Sequence, residues 1–117
     1  MPRLKPRARE ELAVAYLDGE AVVFDPIPTK LHYLNHAATI VFGLCDGRTT
    51  IAEMAEAIGE AYEMAPTEVE GQIRPLVKDL QEHGLVEGKG AERVLKEAAE
   101  QHAELEALRR IPVPKDT

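Results

Sequence analysis

At Asn35 the periodicity of the chain changes, and that change limits the fold more than any other feature. Upstream lie three short runs rich in β-type residues, Glu11 to Leu17, Glu20 to Asp25 and Thr29 to Leu34, separated by turn signals. Downstream, as far as Gly84, the apolar residues recur with helical spacing. Asn35 suits a helix N-cap, because its side-chain oxygen can accept from an unpaired N–H of the first turn. A small sheet therefore hands over to a three-helix unit at one residue. The third strand is left available as a sheet edge, where unpaired backbone groups can accept another peptide.

The turn chemistry agrees with a meander. Asp18-Gly19 between two apolar runs is a hairpin signal. Asp25-Pro26-Ile27-Pro28 then breaks the second run, since two prolines in three residues cannot sit in a central strand. Three such strands are too few to be stable without helices packed on them.

The first helix is expected from about His36 to Cys45, with Ala37, Ile40, Val41, Leu44 and Cys45 on its apolar face and Gly47 as a left-handed C-terminal cap. Thr50 and Glu53 form a capping box for a second helix with the stripe Ile51, Met54, Ala55, Ile58 and Tyr62. Thr67 and Glu70 repeat the box pattern for a third, carrying Val69, Ile73, Leu76, Val77 and Leu80 and closing at His83-Gly84. Pro75 inside it predicts a kink between Gly71 and Pro75 or a late start, because proline removes a backbone bond and crowds the preceding turn. Leu85-Val86-Glu87 reads as a short terminal strand. From Ala91 to Arg110 an amphipathic helix follows, with Val94, Leu95, Ala98, Leu105 and Leu108 as a thin stripe interrupted by His102.

The chain divides accordingly into a basic N-terminal arm (1–10), a globular domain (11–88) and an amphipathic helical tail (89–117). Arg3, Lys5, Arg7 and Arg9 make the arm basic, and it is expected to be solvated and mobile. The tail stripe is too thin for a core element. Self-association as a homodimer, or docking on another chain, is expected to cover it in preference to its own domain.

Chemistry is hard to find. With one cysteine there is no internal disulfide and no cysteine-based zinc site, which suits a reducing cytoplasm. Cys45 is expected to be buried and structural. His32 and His36 straddle the strand-to-helix junction, His83 sits at a helix end and His102 in the tail, so no metal-ligand spacing emerges. Phosphate loops, nucleophile elbows and Cys-x-x-Cys are absent. Nothing suggests an enzyme or a cofactor, and no apolar run approaches the roughly 20 residues that span a bilayer.

Three strands with three helices fit an α+β, winged helix-turn-helix-like architecture with a C-terminal helical extension. A DNA-binding member needs a basic recognition helix. Here the third helix sets Arg74 and Lys78 against Glu68, Glu70, Asp79 and Glu82, and the net charge is −7. A winged-helix transcription regulator using the basic arm stays as the alternative, and a structural subunit docking through its tail as a third.

Tyr33-Leu34-Asn35, the apolar first helix, the Cys45-Asp46-Gly47-Arg48 stop, the Ile51–Tyr62 helix and the Val69–Leu85 helix ending in Gly84-Leu85 together resemble the PqqD-like family. These are peptide-recognition elements of pathways that modify ribosomally made peptides. The resemblance covers roughly Glu11 to Glu87. It implies a winged-helix-type fold without DNA binding and without catalysis, which captures a precursor's leader peptide and presents it to a modifying enzyme, often a radical-SAM enzyme. Capture by strand addition would use Lys30, Leu31, His32 and Tyr33 as the receiving strand. Val69, Gln72, Ile73, Leu76 and Val77 would be the groove wall, with Gln72 as its polar anchor. Plain core packing is the competing reading for the apolar wall residues.

Overall fold

The computed structural model describes residues 4–109, with side chains to residue 100 in the last helix. Strands β1 (Ala13–Leu17), β2 (Glu20–Asp25) and β3 (Lys30–Leu34) precede helices α1 (His36–Gly43), α2 (Ile51–Tyr62), α3 (Pro66–Glu82) and α4 (Lys89–Arg109). The sheet is antiparallel in the order β1-β2-β3, with Val14 opposite Val23 and Val23 opposite His32. Asp18 and Gly19 both have positive φ, at 49° and 79°, as a tight hairpin turn of this hand requires. This is the α+β order expected from the change of period.

Asn35 caps α1 as read, accepting from the Ala38 N–H at 2.9 Å. The capping box at α2 also forms: Glu53 N–H donates to Thr50 Oγ1 at 3.1 Å, and Thr50 N–H donates to Glu53 Oε1 at 3.0 Å. One face of the sheet, carrying Ala21 and Val23, closes on Val41, Phe42, Met54, Ile73 and Val77 to make a single core.

Four expectations need correction. The first helix ends at Gly43, and its buried positions are Thr39, Val41 and Phe42, while Ala37 is exposed. Thr39 is tolerated there because its hydroxyl donates to the Asn35 carbonyl at 2.7 Å. Gly47 does adopt positive φ, at 78°, but as part of the loop after the helix, where its N–H donates to the Pro6 carbonyl at 2.9 Å. No box forms at Thr67: the cap and the start of α3 lie two residues earlier, with Ala65 as N-cap and Pro66 in the first turn. Proline suits that place because its missing N–H would have had no helical partner. The helix then runs unbroken through Pro75, so it does not start late. Pro75 and Gly71, whose carbonyl its ring opposes, are both exposed, and a carbonyl on that side can turn to water.

The largest correction is at the N-terminus. Residues 6–9 are not a free arm; they thread between the loop after α1 and the end of α3. Ala8 N–H donates to the Cys45 carbonyl at 2.9 Å, Arg9 N–H to Leu85 at 3.1 Å, and Glu87 N–H to Arg7 at 2.8 Å. Leu85 to Glu87 is thus paired with this segment by a single bridge, Ala8 to Val86, and is not a longer strand. Arg9 is buried and forms a two-pronged ion pair with Asp25, with a further bond to the Gly84 carbonyl at 3.0 Å. Arg3 lies outside the described residues.

The tail helix also departs from expectation at its start. Ala91 and Ala98 are buried, and Val94 packs against Gly84, so this end of α4 is covered by its own domain. His102, Leu105 and Leu108 have side chains outside the described part.

Candidate functional site

β3 is an edge of the sheet, so the backbone groups of every second residue point away from β2, with no strand among the described residues to receive them. Its side chains divide by face. His32 and Leu34 stand opposite Val23 and Ala21 and so face the helices. Leu31 and Tyr33 stand opposite Phe24 and Val22 on the outer face, where they are 71% and 68% exposed. Large apolar side chains left that open beside a free edge are a surface poised for association.

On the inner side of this edge runs a groove of about 400 Å³. Residues 31–35 and Ala38 form one side, and Leu76, Asp79, Leu80, His83 and Leu85 the other. The lining is mostly apolar, with two imidazoles at one end. The His32 and His83 rings meet edge to face, 6.1 Å between centroids and 82° between planes. His83 Nδ1 lies 2.8 Å from the Asp79 carbonyl. A carbonyl only accepts, so this nitrogen carries the hydrogen and fixes the tautomer. Nε2 of His32 is buried and has no hydrogen-bond partner among the described residues. Burial holds His32 below its ordinary pKa; His83, Lys30 and Arg9 push the same way, and Asp25 opposes them.

The residues expected to build the wall are not all brought to this groove. Leu76 lines it. Val69, Gln72 and Ile73 instead border a separate depression of about 170 Å³, shared with Ile40, Ile58 and Tyr62 and touching the first only through Leu76. Val69, Ile73 and Val77 are buried core residues, and Gln72 is exposed. On the strand side, Leu31, His32 and Tyr33 line the groove, while Lys30 lies exposed at the start of β3.

The wall continues toward the C-terminus of α3, through Asp79, Leu80 and His83. The signal for it was present: Leu76, Asp79, Leu80 and His83 are spaced 3, 1 and 3, one helical face.

No functionally curated protein matches this sequence. The sequence profile of PqqD, coenzyme PQQ synthesis protein D, matches residues 20–86. That is more than half of the chain, from β2 to the end of the globular unit, and the chain belongs to the PqqD family. Three solved structures share the fold. Lasso peptide synthetase B1, complexed with a leader peptide, is 27% identical, covers 73% of this chain and all of its own, and superposes with a TM-score of 0.62. The PqqD part of Methylobacterium extorquens PqqCD, a stand-alone recognition element for ribosomally synthesized and post-translationally modified peptides, is 25% identical over 71% of this chain and 88% of its own, with a TM-score of 0.60. TbiB1 in complex with the TbiA(beta) leader peptide is 21% identical, covers 70% and 95%, and reaches 0.62. At that identity it speaks for the fold alone.

Proposed function

We propose that this chain is a non-catalytic adaptor that binds the leader of a ribosomal precursor peptide and presents it to a modifying enzyme. The leader adds as a fourth strand along β3, and alternate side chains enter the groove against α3. Backbone bonds to the free edge supply affinity whatever the sequence, and the pockets select among leaders. The observation that carries this reading is the free β3 edge running beside a groove, in a member of the PqqD family whose structural relative lasso peptide synthetase B1 is complexed with a leader peptide.

The contact set refines the one read from the sequence. Leu31, His32 and Tyr33 stay, with Lys30 at the end of the strand. Leu76 stays on the wall, joined by Asp79, Leu80 and His83. Val69, Ile73 and Val77 support the wall from the core, and Gln72 is not its anchor. The modifying enzyme is of the radical-SAM class in this reading, and the adaptor works in the cytoplasm. Among the described residues, no helix is long and apolar enough to cross a membrane.

The test is an NMR titration of the full chain with the leader of a precursor encoded beside it. Amide signals of residues 30–33 and of Leu76, Asp79, Leu80 and His83 should move. Leu31→Pro should weaken binding at least tenfold while the fold, followed by circular dichroism, persists, since proline cannot donate to an added strand. Shifts confined to residues 4–10 or to α4 would refute this mode.

A further inference from the structure

We infer that His32 and His83 form a polar anchor in the groove for one acidic side chain, aspartate or glutamate, of the peptide added to β3. The inference rests on the strand-addition reading and goes beyond it by naming the chemistry the groove selects.

Besides Asn35, Tyr33 and the rim carboxylate of Asp79, the lining around the two rings is aliphatic: Leu31, Leu34, Ala38, Leu76, Leu80 and Leu85. A groove of that kind needs no histidine to hold an apolar peptide. His32 nevertheless stands on the inner face of the receiving strand, with Nε2 buried and unpartnered. Buried nitrogens without partners are uncommon and ask for one. In an added strand, the residue opposite His32 points its side chain to the same face, within reach of the ring. Nδ1 of His83 is already committed to the Asp79 carbonyl, which leaves its Nε2 as the ring nitrogen free for a ligand.

The charges around this point decide between an acid and a neutral acceptor. Arg9, on the N-terminal segment, and Asp25, on β2, are tied to each other in an ion pair. That leaves Lys30 on β3 and the two imidazoles, with Asp79 on α3 as the carboxylate facing them, exposed at the rim. The neighbouring His83 ring disfavours protonation of His32 until an anion lies between them. With Nδ1 of His83 holding that ring's hydrogen, its Nε2 donates only once the ring pair has gained a proton; a carboxylate then accepts from both rings and offsets the added charge, which an amide or hydroxyl does not. Capture then takes up a proton, and binding strengthens as pH falls toward the range in which the free His32 ring titrates, below its ordinary 6.5.

The experiment selects short random peptides displayed on phage against the full chain and against its His32→Leu variant. Against the parent chain, enriched peptides should share an acidic residue at one position, and that preference should vanish against the variant. For the best peptide, Glu→Gln (or Asp→Asn) should weaken binding about tenfold near pH 6.5, the difference between a charge-assisted and a neutral hydrogen bond. The acidic peptide should also raise the His32 titration midpoint, read from its ring signals, and the amide peptide should not. A merely structural histidine would move neither. If His32→Leu fails to fold, His83→Gln at the exposed partner ring carries the same comparison. Enriched peptides with no acidic position, or equal binding of the acid and amide forms, overturn the anchor and leave strand addition intact. If no peptide is enriched, or enriched peptides leave the β3 amides unmoved, strand addition falls and the anchor with it.

Discussion

Arg9 and Asp25 meet in a buried ion pair that fastens the N-terminal segment to the end of β2, with the Asp25 side chain fully enclosed. The pair lies where three segments converge. Arg9 also donates to the Gly84 carbonyl at the end of α3, and Asp25 accepts from the Ile27 N–H at 3.2 Å, shaping the turn into β3. The segment ahead of the sheet thus helps set the position of the edge strand.

Removing one member leaves the other charged and buried. Asp25→Ala or Arg9→Ala should each cost about 3–5 kcal/mol, measured by urea denaturation. The double replacement Arg9→Leu with Asp25→Leu should cost clearly less than the two single changes added together. Additive losses would mean that the two side chains act separately.

The sequence carried its local signals well and its long-range ones poorly. Asn35, Asp18-Gly19 and the Thr50–Glu53 box each act over a few residues, and each appears where its chemistry predicts. Thr67–Glu70 has the same pattern, yet Pro66 takes the first turn and moves the cap to Ala65. Arg9 and Asp25 are 16 residues apart, and no local rule pairs them. A basic cluster near a terminus looks solvated until the fold supplies its carboxylate. The residues bordering the groove were partly legible: Leu76 lies on the helix face read from the spacing, but which turns of α3 run beside β3 depends on how α3 crosses the sheet, which spacing alone does not set.

His32 should tilt the pH dependence of stability. Burial lowers its pKa in the folded chain from the ordinary 6.5, so the unfolded chain takes up the proton first as pH falls. The stability linked to His32 is therefore complete above about 6.5 and declines below it. Urea midpoints across pH 5 to 8 should fall on the acid side, and His32→Leu should flatten that decline. An unchanged slope in the variant would assign the effect elsewhere.

Cys45 should be chemically silent in the folded chain. Burial, helped by the neighbouring Asp46 charge, pushes its thiol up to about 12, and Sγ donates to the Val41 carbonyl at 3.2 Å. The thiolate is the reactive form, so iodoacetamide at pH 8 should label it only after unfolding. Rapid labelling of the native chain would place the thiol at the surface.

DNA binding should be weak and indifferent to sequence. Arg9 is consumed by the buried pair, and Arg74 on α3 is held by Glu70. With a net charge of −7, little basic surface remains to meet phosphates. A sequence-selective mobility shift at nanomolar protein, in moderate salt, would restore the regulator alternative.

Gly90 decides how the tail begins. A Cβ there would lie 2.0 Å from the Gln81 carbonyl oxygen and 2.8 Å from its carbon. Those are backbone atoms of α3, so the clash cannot be relieved by turning a side chain. Gly90→Ala should lift the start of α4 from the end of α3, uncover Ala91 and Val94, and cost about 1–3 kcal/mol. Gly71→Ala is the control: it sits exposed in α3 with open space around its Cβ position. Lower backbone entropy should make that change stabilising by about 0.5–1 kcal/mol. Hydrogen exchange should quicken in residues 89–98 of the Gly90 variant and stay unchanged in the other. If the tail is held by a second copy of the chain and not by α3, Gly90→Ala will leave exchange in α4 untouched, and protection there will instead rise with protein concentration.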